Sequence, residues 1–150
     1  MAILKRSFMQ LFFIIALIIG WSGYVAAQTD NIEGIWFSDT REAKIQLYKG
    51  GDGKIYGKII WLKEPLRNGK AKLDDNNPNK QLRKQPIVSL VILKGLKKDG
   101  TQYEDGSIYD PENGKTYDCK VTYKGGKTLS IRGYIGISII GRTTVWERAG

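Results

Sequence analysis

The sequence contains no histidine and has a single cysteine, Cys119. Without histidine, Ser-His-Asp and Cys-His catalysis and nearly every zinc site are excluded. One cysteine excludes an intrachain disulfide and a thiolate metal cluster. It predicts a small buried side chain on a strand, with an intermolecular disulfide as the alternative. We therefore assign no catalytic residue and predict no metal and no cofactor.

Long apolar runs are also missing, except near the N-terminus. Residues 8–21 form one such run after two basic residues, and the small residues Val25 and Ala27 follow at cleavage-site spacing. The run is shorter than the roughly 20 residues of a membrane-spanning helix, which makes an uncleaved anchor the weaker alternative. We predict a signal peptide over residues 1–27, export to the periplasm or the extracellular space, and one domain over residues 28–150.

Concentrated charge of one sign is absent as well. Residues 28–150 carry 22 basic and 15 acidic residues, a net charge of +7, with no five like charges in a row. Dispersed charge is typical of a solvated surface, and attraction to an anionic envelope surface remains the alternative. Nucleic acid is not an expected partner of an exported protein, and we predict a monomer.

The chain does contain many short β-type segments separated by glycine turns, without sustained helical periodicity after the apolar run. "KTYDCKVTY", residues 115–123, alternates between two faces, and "GGDG", residues 50–53, suits a hairpin connection. "IVSLVIL", residues 87–93, is typical of a buried strand. The pattern predicts an all-β fold with about eight strands in an antiparallel meander, closed into a barrel that is filled by side chains or holds one small ligand.

The two ends of this series carry a recognisable pair of motifs. "GIW" opens the first strand with Gly34 and Trp36, and "GRTTVWER" ends the last with Arg142, Trp146 and Arg148. These ends resemble those of the calycins, the lipocalin and avidin-like barrels. The resemblance implies that the first tryptophan packs against a basic residue of the last strand, where a guanidinium over an indole is favourable. We predict these five residues to close the barrel.

One polar stretch, "DDNNPNKQLRKQPI" at residues 74–87, interrupts the strands. Structureless loops beyond about 12–15 residues are uncommon, and Asn77 suits the cap of a short helix over residues 79–83 with Leu82 as its apolar anchor. Calcium binding is the weaker alternative, because the glycine and glutamate of the twelve-residue calcium loop are missing. We predict an ordered rim loop folded over one end of the barrel, with Arg83 pointing at the site or pinning the loop.

Three longer motifs are more specific: "DDNNPNKQLRKQPIVSLVIL", "GSIYDPENGKTYDCKV" and "RGYIGISIIGRTTVWER". Over about residues 32–148 the chain resembles the domain of unknown function 2147 family, which is bacterial and exported. Asn79 stands where the family pattern has Asp, and Ser89 where it has Gly. The first difference weakens a carboxylate role at that position. The resemblance implies no established reaction.

Aromatic and arginine side chains supply the main candidate chemistry. Aromatic walls bury an apolar ligand body, and arginine holds a carboxylate or phosphate, although core packing explains each aromatic singly. We favour a binding protein over an enzyme, with a small acidic, amphiphilic or lipid-like ligand. The candidate ligand-binding residues are Trp61, Asn77, Arg83, Tyr109, Asp110, Tyr117, Arg132, Tyr134 and Arg142.

Two other functions stay open. An envelope interaction module without a small ligand would use the basic surface and the rim loop. The apolar "YIGISIIG", residues 134–141, would contact lipid or protein if exposed, but a buried bend between the last two strands is the favoured interpretation. A histidine-independent hydrolase would pair carboxylates among Asp105, Asp110, Glu112 and Asp118, which in the simpler interpretation are turn residues.

Overall fold

The structure, a computed structural model, describes residues 31–150; the predicted signal peptide lies outside them. The described chain forms ten strands and one turn of 3-10 helix, and none of its helices is long and apolar enough to span a membrane. The strands are β1 (Gly34–Phe37), β2 (Ala43–Lys49), β3 (Ile55–Leu62), β4 (Leu66–Arg67), β5 (Lys70–Ala71), β6 (Val91–Asp99), β7 (Gln102–Asp110), β8 (Lys115–Tyr123), β9 (Thr128–Tyr134) and β10 (Gly141–Arg148).

Eight of these strands close into an antiparallel barrel in the order β1-β10-β9-β8-β7-β6-β3-β2. Neighbours along the chain are neighbours in the barrel, except that β3 pairs with β6. The intervening β4–β5 ribbon and residues 72–90, here called the long loop, stand outside the ring. The predicted fold class, an eight-stranded antiparallel closed barrel, is therefore confirmed. Closure leaves no strand edge of the ring unpaired.

Alternation along each strand places one set of side chains inside. In β8, Cys119 and Val121 are buried, as the sequence pattern predicts, and burial raises the pKa of the Cys119 thiol to about 12. A Cβ added at Gly57 on β3 would lie only 2.8 Å from Leu47 Cδ2, so there is no room for a larger residue at this position. The buried apolar side chains are Ile32, Trp36, Ile45, Leu47, Ile55, Ile59, Ile92, Leu93, Leu96, Tyr103, Cys119, Val121, Leu129, Ile131 and Trp146.

The strand predicted over residues 87–93 is wrong in its first half. Strand β6 begins only at Val91, and Ser89 has a φ of 84°. This positive φ takes the chain out of the extended conformation just before β6 begins. The backbone of Ser89 donates to the carbonyl of Ile59 at 2.7 Å instead, which ties the end of the long loop to β3.

The buried bend favoured for residues 134–141 is also wrong. Strand β9 ends at Tyr134 and β10 begins at Gly141, so residues 135–140 form the loop of a hairpin. We call these residues the isoleucine loop. They project past the end of the sheet, and no layer of the described chain covers them; four isoleucines are consequently exposed.

One end of the barrel is closed by Trp36 and Arg148. The Arg148 guanidinium carbon lies 4.2 Å from the centre of the Trp36 ring, and its two terminal nitrogens donate to the carbonyls of Glu33 and Asn31, each at 3.0 Å. These bonds hold residues 31–33, which precede β1, against the barrel, and Ile32 is fully buried there. A guanidinium over an indole face is attractive, and the donors here also satisfy backbone oxygens.

Two of the predicted barrel-closing residues lie elsewhere. Arg142 is six residues before Arg148 on β10, at roughly 3.4 Å per residue, and therefore stands at the opposite end of the barrel. Trp146 is buried in the interior between these two ends. Gly34 does lie at the closed end, where an added Cβ would meet Arg148 Nη1 at 2.6 Å.

Candidate functional site

The end of the barrel opposite Trp36 is hollow. It encloses a cavity of about 850 Å³ that opens to solvent between the strand ends. Inward positions on five strands line its interior with aliphatic side chains, and β10 adds the indole of Trp146. The apolar wall residues are Ile45, Ile59, Ile92, Ile108, Ile131 and Trp146.

Gly133 accounts for part of this space. It lies on β9 two residues after the inward-facing Ile131, at a position where any other residue would add a side chain to the interior. A Cβ added there would lie 3.6 Å from Ile108 and Tyr117, which is ordinary van der Waals contact. The absence of a side chain, and not a backbone requirement, therefore leaves this part of the barrel empty.

The rim of the cavity carries charges of both signs. Three of its cations form ion pairs with carboxylates of the rim, and these surface pairs add little to stability. The pairs are Arg67 with Asp75 at 3.0 Å, Lys72 with Glu64 at 4.0 Å, and Arg142 with Asp39 at 3.8 Å. The Arg142 side chain is 85% exposed, so its guanidinium is available to a ligand entering the mouth.

A hydrogen-bonded group on the β7–β8 turn forms another part of the rim. Asn113 Nδ2 donates to Asp110 Oδ2 at 2.8 Å and to the Tyr117 hydroxyl at 3.2 Å. The other carboxylate oxygen of Asp110 accepts from the Glu112 backbone N–H at 2.9 Å. Asp110 is thus the first residue of an Asx-stabilised turn, and it presents Tyr117 at the mouth with a fixed polar partner.

The long loop supplies one side wall of the mouth. Leu73, Asp75, Asn76 and Ile87 line the cavity from this side. Asn76 Nδ2 donates to the carbonyls of Pro111 and Glu112 at 3.2 and 2.8 Å, which fastens the loop to the β7–β8 turn.

Gly114 permits this docking. Its φ is +70°, and an added Cβ would overlap the backbone oxygen of Asn76. A non-glycine residue at this position would therefore displace the loop.

A buried carboxylate anchors the same loop to Tyr109 near the end of β7. Asp74 is fully buried, and it accepts from the Tyr109 hydroxyl at 2.6 Å and from Asn77 Nδ2 at 2.7 Å. Burial, followed by the bond to Asp74, raises the pKa of Tyr109 well above its usual value. The phenol is therefore the donor at neutral pH, and it satisfies a carboxylate that would be costly to bury unpaired.

The helix predicted in this loop is shorter than expected. It is one 3-10 turn, Lys80–Leu82, and Asn79 is its cap instead of Asn77: Asn79 Oδ1 accepts from the Gln81 N–H at 3.0 Å. Leu82 and Asn77 border a second, smaller cavity of about 220 Å³ beneath this turn. The loop therefore covers the side of the barrel and borders its mouth, and it does not close over the end.

Four predicted ligand-binding residues do not line the main cavity. Asn77 is bonded to Asp74, and Arg83 pins the loop through Nε to the Asn77 carbonyl at 2.7 Å. Arg132 alternates with the inward Ile131 and faces outward beside Thr143, to which it donates at 2.8 Å.

Trp61 is the fourth of these residues. An irregularity between β2 and β3 sets it opposite Lys44 on the outer wall, with its ring 6.5 Å from that of Phe37. A register shift of one residue moves a side chain to the other face of the sheet, which explains the misplacement.

The other five predicted residues, Tyr109, Asp110, Tyr117, Tyr134 and Arg142, all line the main cavity. Burial is the main cause that raises the pKa of Tyr134. The prediction missed the aliphatic wall, Gly133, and the two isoleucines at positions 135 and 140 that border the mouth. Strand alternation marks Ile45, Ile59 and Ile131 as inward, but it does not say which inward positions enclose empty space.

The carboxylates proposed for hydrolysis do not converge. Asp110 and Glu112 lie on the rim, whereas Asp105 and Asp118 do not line the cavity. Asp105 pairs with Lys97 at 3.3 Å on the outer surface. Within residues 31–150, no cluster of three or more His, Cys, Asp or Glu side chains is arranged to hold a metal ion.

Comparison with known proteins agrees with this architecture. A family model described as "Uncharacterized protein conserved in bacteria (DUF2147)" matches residues 34–148. Among solved structures, the chain is similar to protein HP1028 from the human pathogen Helicobacter pylori, which is described as belonging to the lipocalin family. The two are 26% identical with a TM-score of 0.69, and the match covers 80% of this chain and 84% of that chain. No match was found among curated proteins.

Proposed function

The chain belongs to the DUF2147 family, and we propose that it is a binding protein whose barrel takes up a small amphiphilic or lipid-like molecule. The observation that carries the proposal is the cavity of about 850 Å³ with an aliphatic interior and a polar mouth. Ligand sites of about 300–1,000 Å³ with mainly apolar walls and a few oriented polar groups are typical of small-molecule binding proteins. The similarity to a lipocalin-family structure supports the same function.

The chemistry of the walls indicates how such a ligand would lie. Ile59, Ile92 and Ile131 line the interior with hydrocarbon, so the apolar part of the ligand would occupy the barrel. The polar head would stay at the rim, where the Tyr117 hydroxyl and the exposed Arg142 are within the lining of the mouth. An apolar molecule without a head would leave these groups to water.

The rim changes the expected ligand class in one respect. Arg83 and Arg132, which the sequence suggested as clamps for an acidic group, are engaged with backbone carbonyls outside the cavity. Among the paired rim cations Arg67, Lys72 and Arg142, Arg142 is the most exposed. We therefore propose a ligand defined by an apolar body and a polar head, and we expect Arg142 to be the main contact of an acidic head.

The cavity can be tested by filling it. Anilinonaphthalene sulfonate, which fluoresces in apolar sites, should bind to the unsubstituted protein and be displaced by dodecanoic acid. Gly133→Leu should weaken the binding of both compounds roughly tenfold or more, because the leucine side chain would occupy the interior. Gly51→Leu is the matched control, since Gly51 lies in the β2–β3 turn with no atom within 4 Å of an added Cβ. Thr144→Leu, at a second lining position, serves if Gly133→Leu does not fold.

Three results would contradict the proposal: no saturable binding to the unsubstituted protein, unchanged affinity in folded Gly133→Leu, or equal loss in Gly51→Leu. The head group is tested by comparing dodecanoic acid with dodecanol in Arg142→Gln. A loss of affinity for dodecanoic acid but not for dodecanol would identify Arg142 as the contact of an acidic head. Equal affinities would show that the head makes no charge-specific contact there.

A further inference from the structure

The isoleucine loop, residues 135–140, is the most apolar exposed segment among the described residues. Its sequence is "IGISII", without a charged side chain. Ile135, Ile137, Ile139 and Ile140 are 71%, 60%, 83% and 71% exposed. Single exposed apolar residues are ordinary, but four on one short loop form a contiguous patch, and such patches mark surfaces that meet a protein or a membrane.

Most of the backbone carbonyls of this loop accept a hydrogen bond from within the protein. Arg132 Nε donates to the Ser138 carbonyl at 2.5 Å, and Nη2 donates to the Ile139 carbonyl at 2.7 Å. The Ile137 N–H donates to the Ile135 carbonyl at 3.0 Å, and the Ile140 N–H to the Ile137 carbonyl at 3.2 Å. Four of its six carbonyls therefore accept a hydrogen bond from within the protein.

This hydrogen bonding matters for the environment that the loop can enter. Each backbone group left unpaired in hydrocarbon costs several kcal/mol, so an ordinary loop is excluded from the apolar part of a bilayer. Here the Arg132 guanidinium supplies, from the outer face of β9, the donors that water would otherwise supply. The loop presents an apolar tip in which four backbone carbonyls and two backbone N–H groups already have partners.

The loop stands at the mouth of the cavity. Ile135 and Ile140 both line the opening, and Arg142 follows directly at the start of β10. The other two isoleucines, Ile137 and Ile139, are 60% and 83% exposed and do not line the cavity. A protein interface would normally add a polar rim with hydrogen bonds around such a patch, whereas a fluid bilayer accepts an apolar loop of any shape.

We propose that the isoleucine loop inserts into the surface of an anionic lipid bilayer and holds the open end of the barrel against it. Positive charge flanks the loop, since Arg132 binds its backbone and Arg142, 85% exposed, follows it in the chain. Membrane attachment strengthens with both buried apolar area and attraction to anionic lipid. A ligand leaving the bilayer would then meet the cavity mouth directly. The docking itself does not depend on the proposed function.

The test is flotation of the protein with vesicles. Residues 28–150 contain every strand of the closed barrel, so they are used without the apolar run of residues 8–21, which would itself bind lipid. The protein should float with vesicles of equal phosphatidylcholine and phosphatidylglycerol, and less with phosphatidylcholine alone. Ile137→Ser with Ile139→Ser should lower the bound fraction roughly tenfold or more, because neither residue lines the cavity but both lie in the patch.

The matched control is Ile35→Ser with Val145→Ser, two exposed apolar residues on the barrel wall at 37% and 48% exposure. It should bind vesicles as the unsubstituted protein does. Absence of flotation, or equal loss in both double variants, would overturn the proposal. So would sedimentation showing a dimer that the loop variant abolishes without any vesicle binding, since the patch would then cover a second copy.

The two proposals fail separately. The loop variant keeps Ile135 and Ile140 in the cavity wall, so its affinity for anilinonaphthalene sulfonate should be unchanged. Vesicle binding without a cavity ligand would support docking alone, and a cavity ligand without vesicle binding would support only the binding function.

Discussion

At the scale of single residues, the closed end depends on two side chains, those of Trp36 and Arg148, and on the absence of a side chain at Gly34. Trp36 stacks under Arg148, and its indole N–H donates to the Ile32 carbonyl at 2.8 Å. Gly34 lies beside them with a φ of +131°, a conformation open essentially only to glycine. The Gly-x-Trp motif therefore has a direct physical reason: the glycine leaves the space that the guanidinium fills.

Gly34→Ala should consequently destabilise the barrel by about 1–3 kcal/mol, from the strained φ and the displaced Arg148. Urea unfolding of the purified protein, followed by circular dichroism, measures the change in the free energy of unfolding. Gly51→Ala is the control, because Gly51 has no atom within 4 Å of an added Cβ. Equal stability of the two variants would show that Arg148 does not need this space.

At the scale of elements, the long loop shows how a polar segment becomes ordered without a core of its own. Its base is held by a bridge between Leu73 and Pro86, and its tip by Asn76 on the β7–β8 turn. Between these points Asp74 is buried against Tyr109. Such a carboxylate stabilises the loop only while both its hydrogen-bond donors are present, because an unpaired buried charge is costly.

Tyr109→Phe removes one of these donors and should destabilise the protein by about 1–3 kcal/mol. It should also make the long loop sensitive to proteolysis before the barrel unfolds. Tyr56→Phe removes a hydroxyl of the same kind, bonded to Asp52 at 2.7 Å on an exposed hairpin, and should leave stability nearly unchanged. If both substitutions have the same effect on the urea midpoint, burial of Asp74 is not what holds the loop.

At the scale of the whole molecule, the barrel is filled at one end and hollow at the other. Large side chains such as Leu96 and Tyr103 occupy the end near Trp36, whereas Gly133 and Thr144 stand among the isoleucines near the mouth. Eight strands enclose an interior just wide enough to be filled by side chains or to hold one small ligand. The size of a few residues thus decides between a core and a binding cavity within one ring.

We also propose that the mature molecule is exported and begins at Gln28. Expression of the full chain in a bacterium, followed by mass spectrometry of the purified protein, should show loss of residues 1–27. Ala27→Arg should block the cut, because the cleavage site requires a small residue there, whereas Ala26→Ser should not. Retention of residues 1–27 by the unsubstituted protein would overturn this proposal.

The sequence alone determined the class of fold, because strand alternation, glycine turns and the motifs at the two ends are local signals that survive folding unchanged. It also indicated five residues of the cavity lining, including Tyr117 and Arg142, because aromatic side chains and arginine suit the binding of an apolar ligand with a polar head. Only the tertiary structure decided that Trp61 and Arg132 face outward and that Arg148, not Arg142, covers Trp36. These outcomes depend on register, bulges and the relative position of distant strands. The tertiary structure alone also decided that residues 135–140 lie uncovered, because burial depends on what packs against a segment and not on the segment's own composition.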